Sequence, residues 1–177
     1  MPERRSIADA IASRRVIRRF AERPLDDAHL QRILDAGRRA NSSKNQQRWA
    51  FIVCRDRDHL RQLAEVGPWA GHLAGAGLAV ALVTPDPARS GAPLSVMFDL
   101  GQAADSMMLA AWELGIGSVP ATVYRHDLAR ELLGYPEDHH CEFLISFGYP
   151  ADPHDLTRPL RAGGRRGLDA LVHEERW

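Results

Sequence analysis

Lysine is all but missing from this sequence: Lys44 is the single one, and arginine supplies every other basic side chain. Basic and acidic residues number 23 each, so the formal net charge is zero. That balance removes any general pull toward nucleic acid or an anionic membrane, and neither partner is expected. It also gives little colloidal protection, which suits a chain that lives as an oligomer. Cysteine is scarce too. Cys54 and Cys141 each stand inside an apolar, strand-like run and are read as buried, reduced thiols of a cytoplasmic protein. No apolar stretch reaches about 18 residues, and the charged N-terminus lacks the apolar region of a signal peptide.

Local chemical signatures are missing as well. There is no Gly-x-Ser-x-Gly elbow and no cysteine signature for nucleophilic catalysis. Gly75-Ala76-Gly77 lacks a third glycine and precedes its strand instead of following one, so the dinucleotide fingerprint fails on context. Of the eight histidines, only His139 and His140 are adjacent. Neighbours on a strand point to opposite faces, so those two cannot chelate one ion and no metal site is expected.

What remains is a chain of 177 residues, 45% hydrophobic, which fits one domain with a proper core. Ser6 is placed to cap a short helix to about Ser13, and Asp26 or Asp27 a second one with Leu30, Ile33, Leu34 and Gly37 on one face. Trp49–Cys54 is apolar on both alternations and predicts a strand covered on both faces. Asp56–Glu65 reads as a helix, and Leu78–Thr84 as a second buried strand. Residues Ser95–Leu114 form the longest helix, apolar enough for the molecular centre or a subunit interface. A short strand over Ser118–Val123, a helix over Asp127–Leu133 and a strand over Cys141–Phe147 complete the core. From Pro150 the composition changes. Pro153, Pro159, Gly163, Gly164 and Gly167 mark an extended tail, and its apolar end at Leu168, Leu171, Val172 and Trp177 reads as a docking segment.

Two stretches carry the chemistry. Asn41–Trp49, NSSKNQQRW, sets four carboxamides and two serines between a helix and a strand. That donor and acceptor set matches the edge of a planar heterocycle, and it equally describes a solvated loop. In Arg14-Arg15-Val16-Ile17-Arg18-Arg19-Phe20, basic residues alternate with apolar ones. The cluster is open to three readings: a nucleic-acid patch, a solvated face, or a bidentate phosphate clamp. Arg165 and Arg166, between glycines in the tail, are candidates for the other half of such a clamp.

In this order the segments resemble the FMN-dependent nitroreductase family over nearly the whole chain. Ser13–Phe20 is similar to its Arg-Arg-Ser-x-Arg-x-Phe segment, and Asn41–Trp49 to its Pro-Ser-x-x-Asn-x-Gln-Pro-Trp loop. Asp99–Ala104 and Leu114-Gly-Ile-Gly-Ser118 follow its central helix and Gly-x-Gly exit. Arg165–Val172, closing on Trp177, is similar to its C-terminal tail.

The resemblance implies an α+β fold, a mixed sheet flanked by helices, in an intertwined homodimer whose 150–177 tail embraces the partner. It implies an FMN-dependent NAD(P)H oxidoreductase, with ping-pong hydride transfer through flavin N5 to a nitroaromatic, a quinone or a similar small-molecule acceptor. The alternatives are a flavin carrier or redox sensor without turnover, and another flavin chemistry such as dehalogenation or flavin fragmentation. Carried over by position, Arg14, Arg15, Arg18 and the Val16 backbone contact phosphate and flavin edge, with Arg165 or Arg166 completing the phosphate site. Ser42, Ser43, Asn45 and Gln47 reach the cofactor, the loop typically from the partner chain. Pro120, Ala121 and Thr122 line one flavin face. Val16 stands where the family has serine, and Asn41 and Arg48 replace its two prolines; Lys44 is left between the flavin pyrimidine edge and a solvated role.

Overall fold

Strand alternation divides this molecule into two cores. The computed structural model describes residues 6–159 and 165–177. Four strands, β1 (Ala50–Cys54), β2 (Leu78–Pro85), β3 (Gly117–Thr122) and β4 (His139–Gly148), form a sheet in the order β1-β2-β4-β3. Along β2, Ala79, Ala81 and Val83 enter one core while Leu78, Val80 and Leu82 enter the other. This is why both alternations of the strand are apolar.

Helices α1 (Ile7–Ser13), α2 (Asp27–Arg38), α3 (Arg57–Leu63), α4 (Ser95–Glu113) and α5 (His126–Leu133) flank the sheet. Leu60, Leu63 and Ala129 bring α3 and α5 to the first core. Leu30, Ile33, Leu100, Met107 and Ala111 bring α2 and α4 to the second. The caps follow local chemistry. Ser6 Oγ accepts from Asp9 N–H at 3.1 Å while Asp9 Oδ2 accepts from Ser6 N–H, and Asp56 Oδ1 accepts from His59 N–H at 2.8 Å. Cys54 and Cys141 are free and buried, and burial pushes their thiols up to about 11 and about 12.

The sheet departs from the expected mixed pattern. All pairings of its four strands are antiparallel, and the parallel component is one bridge, Val16 to Ser118. The strand after the loop departs too. β1 is an edge strand in which only Cys54 is fully buried; Phe51, Ile52 and Val53 are half-exposed and Ala50 is open. Among the described residues no strand pairs with that edge. Helix α4 does lie at the centre, with Met107 and Ala111 fully buried, yet Phe98 on it is 72% exposed. Beyond Pro150 there are short turns at Pro153–Leu156 and Leu168–Ala170. Gly163 and Gly164 lie outside the described residues.

The arginine segment is fixed to the sheet by a close approach. Ile17 N–H donates to the Ser118 carbonyl at 3.2 Å, and Ile17 is buried against Gly117. A Cβ on Gly117 would stand 2.7 Å from Ile17 Cβ, the stiff branched end of that side chain. Gly117→Ala is expected to cost about 1–3 kcal/mol by overpacking; urea unfolding with an unchanged midpoint would contradict this contact.

Candidate functional site

Helix α4 is apolar along most of its length, and two of its acids organise the two stretches that the sequence singles out. Asp99 is 7% exposed, and its Oδ2 accepts from the backbone N–H of Ser43 at 2.9 Å. A buried carboxylate needs such a partner, so the entry of the Asn41–Trp49 loop is held at the helix. Two turns on, Asp105 Oδ1 receives Arg14 Nη2 at 2.5 Å. The Arg14 side chain is only 26% exposed. One amino group is thereby committed, and the remaining guanidinium N–H groups are left to face an anion.

The loop is backbone-strained. Lys44, Asn45 and Gln47 all have φ near +50° (54°, 53° and 49°), a region that side chains other than asparagine rarely adopt. Contacts within the loop hold this shape, among them Gln47 N–H donating to Ser42 Oγ at 3.0 Å, Asn45 N–H to the Ser42 carbonyl at 2.9 Å, and Gln47 Nε2 to Asn45 Oδ1 at 2.9 Å. Thr84 Oγ1 donates to the Arg48 carbonyl where the chain enters β1. Strain of this kind persists only where the surrounding structure over-determines it, and here the loop is tied at both ends.

The predicted arginines divide. Arg15 reaches the carbonyl of Arg158 and lies over the Trp112 ring, 5.7 Å from its centroid. Val16 contributes its backbone to the Ser118 bridge. Arg18 is exposed and makes no hydrogen bond or ion pair among the described residues. Arg165 and Arg166 are likewise exposed, and no bond among the described residues joins them to the Arg14–Arg18 segment. Nor does one join that segment to the Asn41–Trp49 loop. On β3, Pro120 is exposed, Ala121 is buried and Thr122 is half-buried. Pro120, Met97, Gly101, Ala104 and Met108 line an apolar cleft between α4 and the sheet. Nothing stands within 4 Å of the place a Gly101 Cβ would occupy, so the cleft is open at that residue.

Sequence reasoning missed three residues here. Asp99 and Asp105 were visible only as rare polar positions on an apolar helix. His72 is the third: its Nδ1 lies 2.7 Å from Ser146 Oγ. Burial, and then the Arg18 guanidinium, hold this imidazole below its ordinary pKa, while a backbone hydrogen bond at Pro120 acts the other way. Arg18, His72 and Pro120 therefore stand at one edge of the sheet, although no sequence spacing relates them.

Known proteins carry the same framework. The model of the Nitroreductase family matches residues 11–86 and 67–149. A candidate NADH dehydrogenase/NAD(P)H nitroreductase of Archaeoglobus fulgidus is 37% identical over 172 residues, 94% of this chain and 96% of that protein. An NADPH-flavin oxidoreductase of Vibrio harveyi is 27% identical, over 96% of this chain and 73% of its own. The crystal structure of nitroreductase A from Vibrio parahaemolyticus superposes with a TM-score of 0.82 at 26% identity, over 96% of this chain and 75% of that one. Matched by family model, by sequence and by fold along most of its length, the chain belongs to the nitroreductase family.

Proposed function

We propose that this chain is an FMN-dependent NAD(P)H oxidoreductase that works as a homodimer and passes electrons to a nitroaromatic, a quinone or a similar small acceptor. The observation that carries the reading is the arrangement around α4: a strained amide loop, a fixed guanidinium and an apolar cleft on one helix. The residues fit the cofactor in kind. Arg14 and Arg18, with Arg15 beside them and Arg165 or Arg166 from the tail, offer donors for a phosphate. The cleft, open at Gly101 and lined by Ala104 and Pro120, offers apolar surface for a ring system. The Val16 backbone, Pro120, Ala121 and Thr122 border it.

FMN, when bound, supplies the two-electron hydride chemistry, so the chain needs no acid, base or nucleophile of its own. The task of the protein is positioning. Asp105 aims Arg14, Asp99 sets the loop, and Ser42, Ser43, Asn45 and Gln47 present amides and hydroxyls to a polar ring edge.

Assembly as a homodimer is supported by what one chain leaves bare. Ile7 and Ile11 on α1, Phe98 on α4, and Leu168, Leu171, Val172 and Trp177 in the tail are all about half-exposed or more. Such apolar area belongs against a partner. A second copy would cover it and bring its own loop to the site, in keeping with the lack of a bond between loop and arginine segment within one chain. No described helix is long and apolar enough to cross a membrane.

The purified protein is expected to be yellow and to bleach anaerobically with NADH or NADPH, then recolour on adding menadione or a nitrofuran. A colourless protein that takes up no added FMN would overturn the proposal; flavin binding without turnover would make it a carrier. Arg14→Ala is expected to fold and to bind FMN more weakly by roughly 1.5–3 kcal/mol, the worth of a charge-assisted hydrogen bond. An FMN titration indistinguishable from wild type would refute the clamp.

A further inference from the structure

Away from the loop, the arginines and the cleft, the fold gathers three ligating side chains from two elements. His126 opens α5, and His140 and Glu142 lie on β4. We propose that His126, His140 and Glu142 bind one divalent transition-metal ion, with Zn²⁺ the ion their donor set fits. The proposal is independent of the flavin reading.

Geometry carries it. One ligating atom from each residue lies within 4.8 Å of the other two. His140 Nε2 is 2.8 Å and His126 Nε2 3.8 Å from the same Glu142 Oε2. A tetrahedral zinc with bonds of about 2.0–2.2 Å keeps its ligand atoms roughly 3.3–3.6 Å apart. The two distances bracket that value, so small side-chain rotations suffice. Two imidazole nitrogens and a carboxylate oxygen form a borderline-soft set that leaves a fourth position for water.

A plain hydrogen-bonded trio explains less. It accounts for His140 and Glu142, but at 3.8 Å His126 Nε2 is beyond hydrogen-bond reach of the carboxylate. Its Nδ1 is buried with no partner. The His126 ring instead lies against that of His140, with centroids 4.8 Å apart at a 33° tilt. An ion at Nε2 would give this ring a closer polar contact than the 3.8 Å approach to Glu142, leaving Nδ1 as it stands. The backbone beneath is fixed: pairing runs from Val83–Cys141 to Leu82–Phe143, so Glu142 is the extra residue of a bulge. Its carbonyl accepts from Val123 N–H at 2.9 Å. Bulges re-aim side chains in this way. All three side chains are partly exposed, and His140 also borders a surface cleft with Asp86, Leu94 and Met97, which offers an entry path. A bound ion would clip the start of α5 to β4, just past the end of β3.

The test uses untagged full-length protein, treated with EDTA and dialysed. Titration with Zn²⁺ by calorimetry is expected to give about one ion per chain, and Co²⁺ to give the intense visible bands of a tetrahedral site. Zn²⁺ should raise the Tm of the wild type. His126→Ala and Glu142→Gln should each weaken binding by on the order of tenfold or more and lose the Tm rise. Without metal they should keep the far-ultraviolet spectrum of the wild type. His140→Asn replaces any variant that fails to fold. Absence of one-to-one binding by the wild type, or equal binding by the folded variants, would overturn the proposal.

Discussion

A carboxylate buried in an apolar helix sets the terms for the rest of this site. Asp99 is nearly inaccessible, and the Ser43 N–H is what satisfies it. Moving that loop away would leave an uncompensated charge, a larger penalty than the hydrogen bond alone is worth. The bond also holds the loop against its own strain. Left-handed backbone at Lys44, Asn45 and Gln47 costs roughly 1–3 kcal/mol per residue, least for asparagine. The Ser42–Gln47 bond offsets part of this from within the loop, and Asp99 ties the result to the core. Asp105, itself half-exposed, pairs with Arg14, so one helix holds both the loop and the arginine segment.

The second constraint is that one chain cannot cover itself. Apolar side chains on α1, α4 and the tail are open, and β1 is a half-covered edge. Zero net charge gives no electrostatic reason for such surfaces to stay apart. The longest helix is both central, at Met107 and Ala111, and exposed, at Phe98. In the proposed homodimer that one element would serve both core and interface.

Much of this was legible because periodicity and caps report local physics. The limits of α2, β2 and α4 follow from Asp26, from an unbroken apolar run and from glycines after the helix, and the structure places them within a residue or two. The apolar alternations of Trp49–Cys54 implied two covered faces, and a single chain covers them only in part; sequence cannot tell a core neighbour from a second subunit. The loop was identified by its amides, yet its left-handed residues were not, since Lys44 and Gln47 carry no turn signal. Asp99 opens a segment that resembles the family's central helix and Asp105 follows it, but the roles of both depend on which residues fold beside α4. The histidines show the same limit. Adjacent His139 and His140 do point apart, one bonded to Asp138 and the other to Glu142, but His126 arrives from another element altogether.

The dependence of the site on the buried carboxylate is open to one direct measurement. Asp99→Leu keeps the apolar volume and removes the acceptor for Ser43 N–H. FMN affinity of the folded variant, measured by fluorescence titration, should fall roughly tenfold or more, the equivalent of a hydrogen bond to a charged group. Binding equal to that of the wild type would show that the loop holds its shape without Asp99, and would contradict the account.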